Sequence, residues 1–128
     1  VGFPKETKED FETTKHFAEK VGFEKIHIFP YSRRSGTVAD RMDGQIEKSV
    51  KAQRVKELSV VAERIRKEFL NAQIGKTLSV LIETRQNDGM YLGYTSNYTP
   101  VKVMSNVEIG KVVNVTIKSV EEDFCIGE

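Results

Sequence analysis

Apolar residues recur at two different periods along this chain, and the change of period falls near residue 75. In the first part, Phe11, Thr14, Phe17, Ala18 and Val21 follow one another at three- and four-residue spacing. That spacing predicts an amphipathic helix of about 15 residues. Thr7 followed by Asp10 is a helix start signal, and Glu9 and Asp10 complement the positive end of the helix dipole. Gly22 is a natural residue just past the helix end. Glu24–Phe29 then places Ile26 and Ile28 on one face with His27 between them, which predicts a short strand ended by Pro30. The opening Val1-Gly-Phe-Pro reads as the end of a buried strand turning into a loop. A strand end, a helix and a second strand predict one βαβ unit with parallel neighbours. Such a unit alone cannot cover both faces of its sheet.

Tyr31–Gly44 is rich in Ser, Thr and Gly and reads as a loop. Ile46, Val50, Leu58, Val61, Ile65 and Phe69 then trace a second helical stripe, interrupted at Arg54. This predicts a long helix from about Glu47 to about Ala72. Beyond Gly75 the period becomes two. Leu78, Val80 and Ile82 alternate with neighbours that are mostly polar, and Asn87-Asp88-Gly89 is a hairpin turn signal. Met90–Tyr94, the Val101/Val103 pair, Val112–Val120 and Phe124–Gly127 complete five predicted strands. Five short strands without a helix suggest a small closed or nearly closed barrel resembling an OB-fold. Barrels of that kind commonly bind single-stranded or looped nucleic acid.

Composition narrows the picture. At 128 residues the chain suits one ordinary domain or two small ones, and it is too short for a complete (β/α)₈ barrel, which needs ~200 residues. A hydrophobic share of 38% is low, but the apolar residues are patterned rather than scattered. No apolar run reaches the ~18 residues of a membrane span. Cys125 is the only cysteine, so neither an internal disulfide nor a cysteine-held iron–sulfur cluster can form within the chain. The net charge of +1 announces no partner, yet its distribution is uneven: residues 1–70 carry +3 and residues 71–128 carry −2. Arg33, Arg34, Arg41, Lys48, Lys51, Arg54, Lys56, Arg64, Arg66 and Lys67 outnumber the acids between Arg33 and Lys67 by five. A cationic surface of this kind can neutralise phosphates, or it can be the solvated face of a helix.

Several segments resemble one family. Val1-Gly-Phe-Pro-Lys-Glu-Thr7 resembles the Gly-Phe-Pro-Gly-Glu-Thr segment of radical S-adenosylmethionine methylthiotransferases, departing from it at Lys5. Ile28-Phe-Pro-Tyr-Ser-Arg-Arg-Ser-Gly-Thr37 resembles their later strand and loop. Gln45, Lys51 and Arg54 resemble the linker that follows, and Gly75–Glu128 looks like their terminal RNA-binding barrel, the TRAM domain. Arg34 before Ser35-Gly36-Thr37 fits the tRNA-modifying members. With Gly93-x-Thr95-x-Asn97-Tyr98, the chain looks closest to the branch that modifies N6-threonylcarbamoyladenosine beside the anticodon.

The resemblance implies an α/β part joined to an all-β part. Residues 1–45 would be the C-terminal part of a radical S-adenosylmethionine barrel, 46–73 a linker helix and 74–128 the TRAM barrel. It implies S-adenosylmethionine and [4Fe-4S] clusters in a longer parent, with none bound to these residues alone, and no catalysis here because the cluster cysteines are absent. Gly2, Phe3, Pro4, Glu6, Thr7, Tyr31 and Ser32 would lie near S-adenosylmethionine; read without the resemblance, they are a helix cap, a packed Phe and loop residues. Arg33, Arg34, Lys51, Arg54, Lys76, Arg85, Tyr91, Tyr94, Tyr98 and Lys102 would contact RNA. Against that, Arg33 and Arg34 can be surface arginines, and Tyr91 and Tyr98 can pack the barrel. His16 and His27 are too isolated for a metal site, Cys125 reads as a half-buried strand residue, and Glu121-Glu122-Asp123 as a solvated turn. The expected partners are the tRNA anticodon region and the N-terminal part of the same protein, with no membrane, a cytoplasmic location, and dimerisation of the partial barrel as one outcome. The alternatives are a non-catalytic RNA-binding or scaffold protein, and a methylthiotransferase acting on a ribosomal protein.

Overall fold

In the computed structural model, which describes residues 1–22 and 25–128, the start signal at Thr7 is realised in full. The Thr7 hydroxyl accepts from the Asp10 N–H, and the Asp10 carboxylate accepts from the Thr7 N–H, each at 3.0 Å. Helix α1 runs Lys8–Val21 and closes on Gly22 in the left-handed conformation. Phe11 and Ala18 are buried, whereas Phe17 and Val21, read from the same stripe, are 58% and 48% exposed. At about 100° per residue, Phe17 lies roughly 120° around the helix from Phe11, so the stripe is narrower than its spacing suggested.

The chain forms two units, Val1–Arg66 and Lys67–Glu128. In the first, Phe11 and Ala18 pack with Leu58 and Ile65 of helix α3 (Lys48–Asn71), and Val1, Ile26, Ile28 and Val61 close the cluster. The predicted loop 31–44 contains one short helix, α2 (Val38–Arg41), capped by the Thr37 hydroxyl accepting from the Asp40 N–H.

The strand expected at Glu24–Phe29 is not formed over residues 25–29; Glu24 lies outside the described residues. What exists instead is a single parallel-type bracket: the Val1 amino group donates to the Phe29 carbonyl at 3.0 Å, and the Tyr31 N–H donates to the Val1 carbonyl at 2.7 Å. A strand needs a run of such bonds along a neighbour. Here a single residue of neighbouring chain makes them. Among the described residues, 1–45 therefore contain no sheet, and no radical S-adenosylmethionine barrel is present.

The second unit is a closed barrel. Its strands are β1 (Thr77–Arg85), β2 (Tyr91–Tyr94), β3 (Pro100–Val103), β4 (Val112–Glu121) and β5 (Phe124–Gly127), ordered β1-β2-β3-β5-β4. The β3–β5 pair is parallel and the rest are antiparallel. Val80, Ile82, Val101, Val103, Val115, Ile117 and Cys125 fill the interior, with Leu70 from the last turn of α3. Cys125 is fully buried rather than half-buried. Closure uses one device twice. A register shift follows Ile82 in β1 and Ile117 in β4, opposite Gly93 and Gly127 respectively. A Cβ on either glycine would stand 2.4 Å from a backbone carbonyl oxygen of the facing strand. Bulge plus glycine lets two strands cross closely where a small barrel must bend.

Candidate nucleic-acid interface

Strand alternation decides which barrel side chains meet solvent. Gly93 pairs with buried Ile82, and Val101 and Val103 point inward, so Leu92, Tyr94, Pro100 and Lys102 face outward on β2 and β3. Tyr94 pairs across to Leu81, and Leu81 to Val112. An outer row therefore runs Val112, Leu81, Tyr94, Pro100 across four strands. Alongside it lies a polar ladder on β1 and β4. The Thr77 and Thr116 hydroxyls are 2.9 Å apart, and Ser79 donates to Asn114 at 3.2 Å. Above the row stands Tyr98, 78% exposed, its ring centroid 5.7 Å from that of Tyr94.

Of the aromatic and basic residues expected at an RNA surface, Tyr94, Tyr98 and Lys102 come together on this face. Lys102 donates to Asp88 at 3.3 Å and lies over the Phe124 ring. The Asp88 carboxyl is held below its ordinary value, chiefly by the Met90 N–H it accepts and further by Lys102. Tyr91 points the other way: it packs on the barrel core and its hydroxyl donates to Asn106 at 2.9 Å. Arg85 lies over the Tyr91 ring. Lys76 is exposed just before β1, five residues from Leu81 and up to roughly 17 Å away.

The first unit engages several of its expected RNA contacts internally. Arg54, the break in the stripe, reaches Glu6: its guanidinium donates to the Glu6 carboxylate at 2.7 Å and to the Glu6 carbonyl at 3.0 Å. The same carboxylate oxygen accepts from the Gly2 N–H at 3.0 Å. Both side chains of the pair are nearly buried, at 11% and 14% exposure. Lys51 donates to the Tyr31 carbonyl and lies over its ring. Arg33 clasps Asp40 through its carboxylate and carbonyl at 2.8 and 2.7 Å. Arg34 is exposed and its carbonyl accepts from Thr37. An unexplained charge inside an apolar stripe was the available signal for the Arg54–Glu6 pair, and Thr37-x-x-Asp40 was the signal for α2.

The residues expected near S-adenosylmethionine form a braced loop. Gly2 and Pro4 are buried, and Lys5, in the place of the family's glycine, adopts a left-handed φ of 68° and donates to the Gly44 carbonyl. Thr7 is committed to its cap. Phe3 is half exposed, its ring centroid 5.4 Å from that of Tyr31 in an edge-to-face arrangement, and the Tyr31 hydroxyl is buried with no hydrogen-bond partner among the described residues. Ser32 is exposed. A buried hydroxyl left unpartnered beside an open aromatic edge fits an adenine-bearing ligand. The donor set does not fit an iron–sulfur cluster: the one cysteine is sealed in the barrel, and no group of His, Cys, Asp or Glu able to hold a metal exists among the described residues.

A barrel of this kind ending the chain is recognised at the sequence level too: residues 71–128 match the TRAM domain model. Along most or all of its length the chain is similar to curated methylthiotransferases. It is 37% identical to the ribosomal protein uS12 methylthiotransferase RimO of Clostridioides difficile over 135 residues, covering all of this chain and 30% of that protein. It is 37% identical to the threonylcarbamoyladenosine tRNA methylthiotransferase MtaB of Bacillus subtilis, over 91% of this chain and 27% of that protein. It is 40% identical to the tRNA-2-methylthio-N(6)-dimethylallyladenosine synthase of Acetivibrio thermocellus, over 94% of this chain and 26% of that protein. The chain thus spans under a third of the length of these relatives.

Proposed function

We propose that this chain is the C-terminal portion of a methylthiotransferase that adds a methylthio group to C2 of N6-threonylcarbamoyladenosine next to the tRNA anticodon. Its barrel supplies RNA binding, and its first unit supplies part of the S-adenosylmethionine site. The outer β2–β3 face carries this reading: an exposed Tyr98 against a half-buried Tyr94, with Lys102 on the same face, on a TRAM barrel. Arg34, exposed on the loop after Tyr31, would add a phosphate contact, for which a planar multi-donor head is suited.

In the parent, Phe3 and Tyr31 would hold the adenine-bearing cofactor, and the Glu6–Arg54 pair would keep the loop in place. The chemistry S-adenosylmethionine supplies when bound is removal of hydrogen from the target adenine ring. Cluster ligands would come from the parent's other residues, so residues 1–128 alone would be inactive. Phe17 and Phe29 are exposed apolar side chains of the kind that the rest of the catalytic barrel would cover. A cytoplasmic location follows from the tRNA substrate; no helix among the described residues is long and apolar enough to cross a membrane.

A second reading keeps the enzyme class and changes the substrate to a ribosomal protein, favoured by the match along the whole chain to a relative named for uS12. Mass spectrometry of tRNA nucleosides from a deletion strain separates the two. Loss of the methylthio group from threonylcarbamoyladenosine is expected; intact tRNA with an altered ribosomal protein would transfer the assignment. Titration of the 128-residue chain with an anticodon stem-loop should show binding that weakens with added salt, and no binding at low salt would remove RNA recognition from these residues.

A further inference from the structure

The β2–β3 loop holds a tyrosine in an unfavourable state twice over. Tyr98 has a left-handed φ of 64°, a region that disfavours any residue with a Cβ, and the residue is 78% exposed. The loop beneath it is braced. The Tyr98 N–H donates to the Thr95 carbonyl at 3.0 Å, and the Thr95 N–H to the Thr99 carbonyl at 3.1 Å. The Thr99 N–H donates to the Thr95 hydroxyl at 3.1 Å. The Thr95 and Thr99 hydroxyls both donate to the Asn97 side-chain carbonyl. Both threonines are buried, so their network is anchored in the barrel. A strained residue persists where its surroundings over-determine it, and such residues cluster at ligand sites.

Resting on the RNA-binding reading above, we propose that Tyr98 and Tyr94 form a pre-ordered stacking site for one unpaired base of single-stranded RNA. The apolar row of Leu81 and Val112 continues its floor. Two observations favour RNA over a protein partner. The two rings are tilted by 46° rather than closed on each other, which leaves a face of Tyr98 open. The row is bordered by the Thr77–Thr116 and Ser79–Asn114 ladder, a strip of hydroxyls and amides suited to ribose hydroxyls and base edges. The net charge of −2 over residues 71–128 opposes phosphate binding, so RNA held at this face would depend on stacking rather than on counterion release.

The chain contains no tryptophan, which makes Tyr98→Trp a single-site reporter. The full 128-residue chain is titrated with a fluorescein-labelled single-stranded oligoribonucleotide and with a duplex of the same sequence. Tyr98→Ala should weaken single-strand binding by about tenfold or more, and Tyr98→Trp should retain it with quenched indole emission. The duplex should leave the indole unquenched. Tyr98→Gly, which relieves the backbone, should raise the thermal midpoint while losing affinity as Tyr98→Ala does. Wild-type affinity in Tyr98→Ala together with an unquenched Tyr98→Trp would overturn the stacking site and leave RNA binding standing. Failure of the wild-type chain to bind either RNA would overturn both.

Discussion

Among single residues, the Arg54–Glu6 pair ties together more of the first unit than any exposed charge can. Arg54 reaches 48 positions back to hold both the carboxylate and the carbonyl of Glu6, and Glu6 holds the Gly2 amide. Removing one partner leaves the other nearly buried and unpaired. Arg54→Ala should therefore destabilise the first unit by about 3 kcal/mol and speed exchange of the Gly2 amide. Arg64→Ala, which breaks the exposed Arg64–Glu19 pair, should cost less than about 1 kcal/mol. Equal effects in unfolding by denaturant would show that burial does not set the difference. Arg54 was legible in the sequence only as an interruption of a stripe. Its partner lies in a loop before a different helix, a distance no local pattern spans.

Among elements, α1 was the most legible, because each of its boundary signals acts within four residues. Its N-terminus also sets a pH dependence. The Asp10 carboxyl is held below its ordinary value of about 4, chiefly by the Thr7 N–H it accepts and then by the Thr7 hydroxyl. A depressed carboxylate contributes stability that is complete above the unfolded value and lost as pH falls through the folded one. The first turn of α1 should therefore loosen below about pH 4. Thr7→Ala should cost about 1 kcal/mol at neutral pH and move the Asp10 titration, followed by carboxyl NMR, upward. Because alanine keeps the Thr7 N–H, an unmoved midpoint would exclude the hydroxyl and leave that N–H as the cause. The expected strand at Glu24–Phe29 went the other way. Ile26 and Ile28 are packed against the helices as alternation suggested, but alternation describes side chains, whereas a strand is made by a neighbouring backbone. Val1 alone makes the bracket with Phe29 and Tyr31.

For the molecule as a whole, closure of the terminal barrel is the decisive event. All five strands were visible as short alternating runs bounded by turn residues, while their order, with β5 between β3 and β4 and parallel to β3, was not. Gly93→Ala should test the closure device. Its Cβ would meet the Leu81 carbonyl oxygen, a backbone atom that cannot move without opening the β1–β2 pair. A loss of about 3 kcal/mol is expected, read as a lowered unfolding midpoint with exchange of the β1–β2 amides. Alanine tolerated there at full stability would mean that the strands do not cross so closely. The grouping of Tyr94 with Tyr98, and the inward turn of Tyr91, follow from this same registration. Tyr91 and Tyr94, which look equivalent in sequence, are sorted by which side of β2 each occupies, and Tyr98 by the loop that follows it.

Local rules were enough for the sequence to specify the capped helix, the long helix, the five strands and a change of architecture near residue 75, since caps, turns and hydrophobic periods act over a few residues. They also carried the family resemblance, which lies in contiguous motifs. Tertiary structure alone decided which charges face inward, which predicted strand lacks a neighbour, and which tyrosines stand in water. Those outcomes depend on backbone and side chains brought together from distant positions, and no local period encodes such a meeting.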